Sequence, residues 1–382
     1  MTDVVILAAK RTPIGRFLGG LADVSAVELG IAAGEAALAN IDRNQIDQVI
    51  IGNVLSAGSG MNVARQIGVG LTLPIATPAF TVNMMCASGL QSVLLAAQAI
   101  RAGAANCVLC GGVESMSQAP YLLQRARAGY KFGDGTLVDS ILRDGLVDAF
   151  DHRHMALTAE ALATEFNISR DKQDAFALQS QQRTATAMSS QIFDAEIVPV
   201  KKLVADEHPR GDTTLERLVG LKPAFDPAGT VTAGNASGIN DGAAVLVLAE
   251  AQWAAERGYR PMARFIEGTT VGCDPQRMGL GPVHALQKLF TKTNGRVEEQ
   301  DWIEINEAFA AQALACCQQM NLDPARINPH GGAIALGHPI GMSGARLAVH
   351  IAHQLAAGKT RRGYAALCVG GGMGIAARFD AV

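Results

Sequence analysis

The chain has 382 residues, and its composition is that of a globular protein rich in tight turns, with 49% hydrophobic residues, 18% charged residues and 41 glycines. Because this length exceeds one ordinary hydrophobic core, we expect two or three compact units. The formal net charge of −3 provides no basic field for nucleic acid or for an anionic membrane surface, so a small-molecule role is favoured.

The apolar stretches predict buried elements rather than membrane helices. The most apolar of them, such as Val93–Ile100, are interrupted by Gln98 or by neighbouring charges, whereas a membrane span needs about 18 apolar residues. The N-terminus lacks the basic, apolar and small-residue pattern of a secretory signal. Seven cysteines are spread unevenly along the chain. We therefore expect a reducing, cytoplasmic compartment.

β-Branched runs followed by alanine-rich stretches recur at both ends of the chain and predict an α/β fold with buried strands. Three landmarks recur in the same order, which indicates an internal duplication. At offsets of 253, 255 and near 260 residues, the matched pairs are Val49–Asn53 with Ile303–Asn306, Ser88-Gly89 with Ser343-Gly344, and Val108–Gly112 with Cys368–Gly372. We predict a duplicated core, in which residues 1–118 with a return strand at 241–248 form one half and residues 249–382 form the other.

Cys86 is the first candidate for chemistry. Phe80–Met84 reads as a buried strand and Ala87–Arg101 as a helix, so the thiol lies at a strand-to-helix turn. A helix N-terminus favours a thiolate by about 1 kcal/mol, or up to ~2 kcal/mol when partly buried. This corresponds to around one pKa unit against a free value near 8.5. Another group must therefore help to ionise Cys86.

Residues 119–240 differ in character from the two halves and are predicted to be an inserted loop domain that covers a site. Basic residues and glycines precede predicted helices at Thr158–Phe166 and Asp171–Met188. Prolines then interrupt an irregular stretch that ends in Thr232–Gly238. Glycine-rich loops of this kind bring backbone amides close to a ligand.

Two further candidates lie in the second half. His338 stands between a glycine and a proline, just before the helix that repeats the one after Cys86. A histidine that faces Cys86 across a pseudo-two-fold axis would form an activated nucleophile pair. Cys368 ends an apolar run and begins the glycine-rich segment Val369–Gly374, so it lies at a strand end beside exposed amides. Such amides stabilise an enolate or oxyanion, and removing one donor costs about 3–4 kcal/mol.

Two other cysteine pairs are interpreted as structural, and one histidine pair is interpreted as no metal site. The pair with C-x-x-C spacing lies on an apolar strand without a second ligand pair, the adjacent pair points to different helix faces, and the histidine pair lacks a supporting cluster. In that order, the pairs are Cys107 and Cys110, Cys316 and Cys317, and His152 and His154. We predict no catalytic metal.

Four motifs together resemble the signatures of the thiolase family, namely Asn83–Gly89, Asn306–Ala310, Gly337–Gly341 and Cys368–Gly372. Matches at Ala8–Gly15, Gly112–Ser117 and Thr232–Gly242 extend the resemblance over essentially the whole chain, in the family's order. It implies a thiolase-like duplicated core with the loop domain inserted. It also implies a coenzyme A-dependent acyltransferase that makes or breaks a carbon–carbon bond through an acyl-cysteine.

The resemblance implies a role for each site residue. Cys86 would be the acylated nucleophile, and His338 would activate it and help to hold a thioester oxygen. Cys368 would exchange protons with the substrate α-carbon or the leaving thiol. Asn306 would orient a water in one oxyanion site, and the amides of Cys86 and Gly370 would form the other. The coenzyme A and pantetheine channel would be lined by His154, Met155, Arg210, Ser237 and Phe309.

The segment from Tyr130 to Phe150 resembles the loop of short-chain acetoacetyl-CoA thiolases. This favours the acetyl-CoA C-acetyltransferase reaction, the reversible condensation of two acetyl-CoA to acetoacetyl-CoA and coenzyme A. Coenzyme A thioesters would be substrate and product, with no tightly bound cofactor. A longer-chain 3-ketoacyl-CoA thiolase of β-oxidation is the alternative.

Two rival functions make different demands on the site. A decarboxylating ketoacyl synthase has a similar fold and a nucleophilic cysteine, but prefers a second histidine or a different acid where this chain has Cys368 and Asn306. A non-catalytic acyl-CoA-binding scaffold would have lost a catalytic residue, and none is missing. Two departures from the family, Ala156 in place of the usual glycine and a short 198–217 stretch, affect only the expected adenine and phosphate contacts.

The resemblance also implies an oligomer. Members of the family pair through the N-terminal half, so we expect at least a homodimer. The loop Lys131–Asp144 would build a homotetramer from two dimers. No nucleic acid or membrane partner is expected.

Overall fold

Two halves of the chain carry the same strand order within one mixed sheet. A computed structural model describes residues 2–382. In the first half β3 runs parallel to β5, and β5, β8 and β1 pair antiparallel; β10, β11, β12 and β9 repeat this order in the second half. Antiparallel pairing of β1 with β9 joins the halves, so the predicted duplicated α/β core is confirmed. The strands are β1 (Val4–Arg11), β2 (Gly15–Arg16), β3 (Gln48–Gly52), β4 (Ala79–Val82), β5 (Cys107–Ser115), β6 (Tyr121–Leu123), β7 (Leu137–Asp139), β8 (Asn240–Glu250), β9 (Ala263–Gly272), β10 (Trp302–Ile305), β11 (Arg362–Val369) and β12 (Met373–Asp380).

The register of the repeat differs from the sequence alignment at the third landmark. The parallel ladders place Gly112 opposite Gly52 and Ala366 opposite Ile305. Ala366, rather than Gly372, is therefore the counterpart of Gly112, and the third offset is the same as the first two to within two residues. The alignment of the glycines was wrong because the first-half glycines lie inside β5, whereas those of the second half lie in the turn after β11.

Two helices, α3 and α11, lie side by side between the two halves of the sheet. Helices α1 and α2 pack on the opposite face of the first half, and α8 packs on the second half. Strand residues alternate between these two sides, so each half-sheet is buried on both faces. The helices are α1 (Ala26–Ala37), α2 (Val63–Gly70), α3 (Ser88–Arg101), α4 (Ala156–Glu165), α5 (Arg170–Ser189), α6 (Leu215–Val219), α7 (Ala251–Glu256), α8 (Gly281–Thr293), α9 (Ala310–Met320), α10 (Ala333–Leu336) and α11 (Ser343–Ala356).

The repeated Ser-Gly pair explains why α3 and α11 approach so closely. A Cβ atom on Gly89 would lie 2.8 Å from the amide nitrogen of Ala345, and one on Gly344 would lie 2.6 Å from that of Leu90. Only glycine fits at these two points. Since both helices begin here, the crossing brings both helix N-termini, and the loops that precede them, to one place.

The two outer strands of the sheet differ in exposure. Strand β4 is found where a strand was predicted, but it is an edge strand rather than a buried one, and Phe80 is 39% exposed. At the other edge, β10 is covered, because Ile303 makes a bridge to Ile327 and is fully buried. The edge at β4 is therefore the open one.

The predicted insertion, residues 119–240, lies between β5 and β8 in the chain. It contains the hairpin β6–β7 and helices α4, α5 and α6. The two helices predicted in this segment are confirmed, because α4 and α5 begin and end within two residues of the predicted bounds. Helices α4 and α5 pack against α9 of the second half. That this segment forms a domain of its own remains a prediction. No helix within residues 2–382 has both the length and the apolarity needed to cross a bilayer.

Candidate active site

One cavity of about 750 Å³ opens where the two helix-preceding loops meet the insertion. Its lining includes all three side chains predicted to react, Cys86, His338 and Cys368. It also includes all five predicted coenzyme A contacts, which are His154, Met155, Arg210, Ser237 and Phe309. Asn306 and Gly370 do not line this space, although the backbone of Gly370 lies close enough to the Cys86 thiol to lower its pKa.

The turn that carries Cys86 is held by the first residues of α3. Met85 adopts a left-handed conformation with φ 48°, which is uncommon for a residue with a bulky side chain. The hydroxyl of Ser88 stabilises this turn by accepting from the amide of Met84 at 2.8 Å and donating to the carbonyl of Met85 at 2.7 Å. The thiol is thereby fixed at the helix N-terminus, as predicted.

Burial opposes ionisation of the Cys86 thiol. Burial raises its pKa to about 11, although the amides of Gly370 and of Cys86 itself act in the opposite direction, and the nearby Glu114 carboxylate raises it further. The helix terminus therefore does not ionise the thiol by itself, and a base is needed.

His338 supplies a neutral imidazole to the same cavity. Burial lowers its pKa to about 4, so the ring is uncharged at neutral pH. Its Nδ1 lies 2.5 Å from the hydroxyl of Ser343, and its Nε2 is buried without a hydrogen-bond partner within residues 2–382. A buried ring nitrogen without a partner is free to take a proton from a ligand or a neighbouring group.

Asn306 and its counterpart in the first half show what is special about the site. Asn53 donates through Nδ2 to the Glu114 carboxylate at 2.8 Å, and that carboxylate also accepts from the amide of Gly341 at 2.9 Å. Asn306 is fully buried, yet neither its amide oxygen nor its amide nitrogen has a partner among the described residues. Since buried amides are normally paired, Asn306 marks a place for a water or a ligand.

Cys368 occupies the position in the second half that Glu114 holds in the first. It is 1% exposed, near the end of β11, and burial raises its pKa well above the ordinary value. The proximity of Cys86 raises it further. The raised pKa favours the protonated thiol. Cys368 can therefore act as a base only after a step of the reaction has taken its proton.

The predicted coenzyme A contacts form the outer wall of the cavity. His154 stacks on Phe225 with the ring centroids 4.4 Å apart, and Met155 packs so closely that a Cβ on Gly370 would lie 2.2 Å from its terminal methyl. Arg210 also lines a second, adjoining cavity of about 310 Å³. The wall thus combines apolar side chains, such as Met155 and Phe309, with the charged side chain of Arg210.

The four cysteines interpreted as structural do not line the cavity. Cys107 and Cys110 are buried in β5, and Cys316 and Cys317 are buried in α9. Within residues 2–382, no three or more histidine, cysteine or acidic side chains come together as a metal site.

Family models match the chain over almost its full length. The model described as "Thiolase, N-terminal domain" covers residues 4–252, and "Thiolase, C-terminal domain" covers residues 259–381. The chain belongs to the thiolase family. The thiolase is 50% identical over 387 residues to an acetyl-CoA acetyltransferase of Escherichia coli K12, with 98% of each chain covered.

Two solved structures share the fold of this thiolase. The acetyl-CoA acetyltransferase of Bacillus anthracis has a TM-score of 0.97 at 41% identity, covering 100% of this chain and 99% of that one. Human mitochondrial 3-ketoacyl-CoA thiolase in complex with CoA has a TM-score of 0.97 at 42% identity, covering 100% and 98%. The fold comparison thus fits thiolases of both names equally well.

Three residues that hold the site of this thiolase were not predicted to be site residues, namely Glu114, Asn240 and Ser343, although Ser343 was noted as part of the internal repeat. Glu114 and Asn240 lie inside segments that matched the family, at Gly112–Ser117 and Thr232–Gly242. Their position in matched motifs was the available signal. Their contacts depend on the tertiary fold, which the motifs do not describe.

Proposed function

We propose that this thiolase is an acetyl-CoA C-acetyltransferase, which condenses two acetyl-CoA to acetoacetyl-CoA and coenzyme A and catalyses the reverse thiolysis. The observation that carries the proposal is the meeting of Cys86, His338 and Cys368 around one cavity. The unpaired side-chain amide of Asn306 lies two residues before Ala308 of the same lining. The relatives named acetyl-CoA acetyltransferase support the same reaction.

In the first half-reaction Cys86 is acetylated. Nε2 of His338 takes the thiol proton, and the sulfur attacks the thioester carbonyl of the first acetyl-CoA. The amides of Cys86 and Gly370 stabilise the negative oxygen of the tetrahedral intermediate, a placement supported by their action on the thiol, whose pKa both lower. The carbon–sulfur bond to coenzyme A breaks, and Cys368 gives its proton to the leaving thiolate.

In the second half-reaction the carbon–carbon bond forms. Cys368, now a thiolate, removes an α-proton from the second acetyl-CoA. His338 and a water oriented by Asn306 hold the enolate oxygen. The α-carbon attacks the acetyl group on Cys86, the bond to sulfur breaks, and the Cys86 thiolate recovers its proton from His338. Acetoacetyl-CoA leaves, and Cys368 keeps the abstracted proton for the next cycle.

The five outer-wall residues are proposed to bind coenzyme A, with Arg210 on the phosphate side and Met155 and Phe309 along the apolar pantetheine. No tightly bound cofactor is needed, because the acetyl group travels on the Cys86 thiol. All seven cysteines are free thiols, which supports a reducing cytoplasmic compartment. We further propose a homodimer that pairs through the open β4 edge, and a homotetramer through the β6–β7 hairpin.

Longer 3-ketoacyl-CoA thioesters are the second candidate substrates. The likeness to human mitochondrial 3-ketoacyl-CoA thiolase favours this possibility on the fold alone. The loop resemblance at Tyr130–Phe150 and the names of the bacterial relatives favour the short substrate. The two functions use the same reacting groups and differ in the acyl length that the cavity accepts.

Thiolysis kinetics separate the two candidates. We expect kcat/KM for acetoacetyl-CoA to exceed that for six- and eight-carbon 3-ketoacyl-CoA by at least about tenfold, and we expect purified enzyme with acetyl-CoA alone to form acetoacetyl-CoA. A higher kcat/KM for the longer substrates would contradict the short-chain assignment. Absence of thiolysis with every substrate would contradict the proposed chemistry itself.

A further inference from the structure

We propose that Ser343 is a positioning residue that fixes His338 in the tautomer protonated at Nδ1, so that Nε2 is the nitrogen available as base. The activity part of this inference rests on the proposed function, whereas the tautomer is a property of the folded protein alone.

The hydrogen bonds of the serine hydroxyl determine the tautomer. Ser343 Oγ lies 2.8 Å from the carbonyl oxygen of Pro339 and 2.5 Å from Nδ1 of His338. A carbonyl oxygen can only accept, and a hydroxyl has a single proton. Ser343 therefore donates to Pro339 and must accept from the imidazole. The proton lies on Nδ1, which leaves the lone pair on Nε2.

The corresponding serine of the first half shows how this arrangement arises. Ser88 accepts from the backbone amide of Met84, and this contact occupies the acceptor side of its hydroxyl. The residue equivalent to Met84 in the second half is Pro339, which has no N–H. The proline thus leaves the acceptor side of Ser343 free, and Nδ1 of His338 occupies it.

The backbone of His338 is held independently of its ring. Its amide donates to Oδ1 of Asn240 at 2.9 Å, and Nδ2 of Asn240 donates to the carbonyl of Gly15 at 2.9 Å. Gly337 has φ 102°, and a Cβ there would lie 2.5 Å from the Asn240 side chain. Removing the Ser343 hydroxyl should therefore release the ring while the loop stays in place.

The tautomer matters because only an unprotonated Nε2 can accept the Cys86 proton. Without a partner at Nδ1 the imidazole divides between its two tautomers and rotates more freely. The same serine oxygen also accepts from the imidazolium formed after proton transfer. Its loss should lower the rate of Cys86 acetylation and leave substrate affinity almost unchanged.

The test is ¹⁵N-histidine NMR on the full-length protein, with the His338 signals identified from their absence in His338→Asn. In wild type at neutral pH we expect a protonated Nδ1 and an unprotonated Nε2. In Ser343→Ala we expect a mixture of tautomers and a burst of coenzyme A from acetyl-CoA slowed about tenfold, with KM nearly constant. Ser343→Thr, which keeps the hydroxyl, should recover the wild-type tautomer.

Ser92→Ala is the matched control, because it removes a buried serine hydroxyl from α3 that bonds only to the backbone of Gly89 and Gly111. It should leave the His338 tautomer unchanged. A wild-type His338 protonated at Nε2 would overturn the proposal even if no variant folds. So would a Ser343→Ala protein with the wild-type tautomer and burst rate, or an equal loss in Ser92→Ala. A wild-type protein without any burst would count against the proposed function, while the NMR result would still decide the tautomer.

Discussion

At the scale of single residues, the two halves of the repeat differ in how the equivalent buried side chains are paired. In the first half Nδ2 of Asn53 donates to Glu114 and ties two loops together, so only the side-chain oxygen of Asn53 is left without a partner among the described residues. In the second half the equivalent positions are Asn306 and Cys368, and the amide of Asn306 is left without a partner. An unsatisfied buried polar group costs about 1–3 kcal/mol. The second half therefore retains an unfavourable arrangement that a bound water or substrate oxygen would relieve.

Cys368→Ala should separate the two half-reactions. Without this thiol, Cys86 should still become acetylated, more slowly because the leaving thiolate loses its proton donor. Condensation should be abolished, because no base removes the α-proton of the second acetyl-CoA. The measurement is the burst of coenzyme A from acetyl-CoA beside an assay for acetoacetyl-CoA. Condensation at a near wild-type rate would assign the base to His338 or another group, and Cys86→Ala is the control that loses both steps.

The pH dependence of acetylation follows from the opposite shifts at the two groups. Burial lowers the pKa of His338 from 6.5 to about 4 and raises that of Cys86 to about 11, so both are neutral between these values. Because a lowered pKa keeps the base unprotonated in mild acid, the burst rate should stay level from about pH 5 to 8 and fall only towards pH 4. Rapid-quench measurements with a midpoint near pH 6.5 would contradict this account.

The sequence was sufficient to select three side chains that line one cavity, because Cys86, His338 and Cys368 each lie in a short motif with candidate reacting groups. It was insufficient for the residues that hold them. The bond from Ser343 to His338 depends on the start of α11, and the contact from Glu114 to Gly341 crosses between the halves. Such contacts are set by the fold and leave only weak local signals in the chain.

At the scale of secondary-structure elements, the sequence pattern was least informative about which strands lie at the edge of the sheet. Strand β4 has the composition of a buried strand, and its position at the open edge follows from strand order alone. An edge strand presents unpaired backbone groups that another chain can use. Phe80, together with Met61 at 90% and Ile75 at 75% exposure, adds apolar surface near this edge.

Oligomerisation should therefore depend on β4 and, separately, on the hairpin. In sedimentation velocity at micromolar concentration, Phe80→Lys should dissociate the dimer, because a charge replaces apolar contact area at the strand edge. Phe132→Lys, on the fully exposed tip between β6 and β7, should reduce tetramers to dimers and leave dimers intact. A wild-type protein that sediments only as a single chain would contradict both proposals.

At the scale of the whole molecule, the duplication places one reactive site between two halves that share a topology but not their side chains. A buried ionic cluster ties the three parts together, because Arg11 of the first half pairs with Glu196 and Asp206 of the insertion, and Glu196 pairs with His350 of the second half. The site therefore depends on all three parts. In the proposed reaction, this assembly carries the acyl group on Cys86.

The most direct test is to trap that intermediate. After brief incubation with acetoacetyl-CoA and acid quench, mass spectrometry should find a mass increase of about 42 Da, one acetyl group on the nucleophile, on the peptide that contains Cys86. Cys86→Ala should show no acetylated cysteine, and Cys107→Ala, which removes a buried strand thiol, should retain the adduct. An acetyl group on another residue, with Cys86 unmodified, would contradict the account.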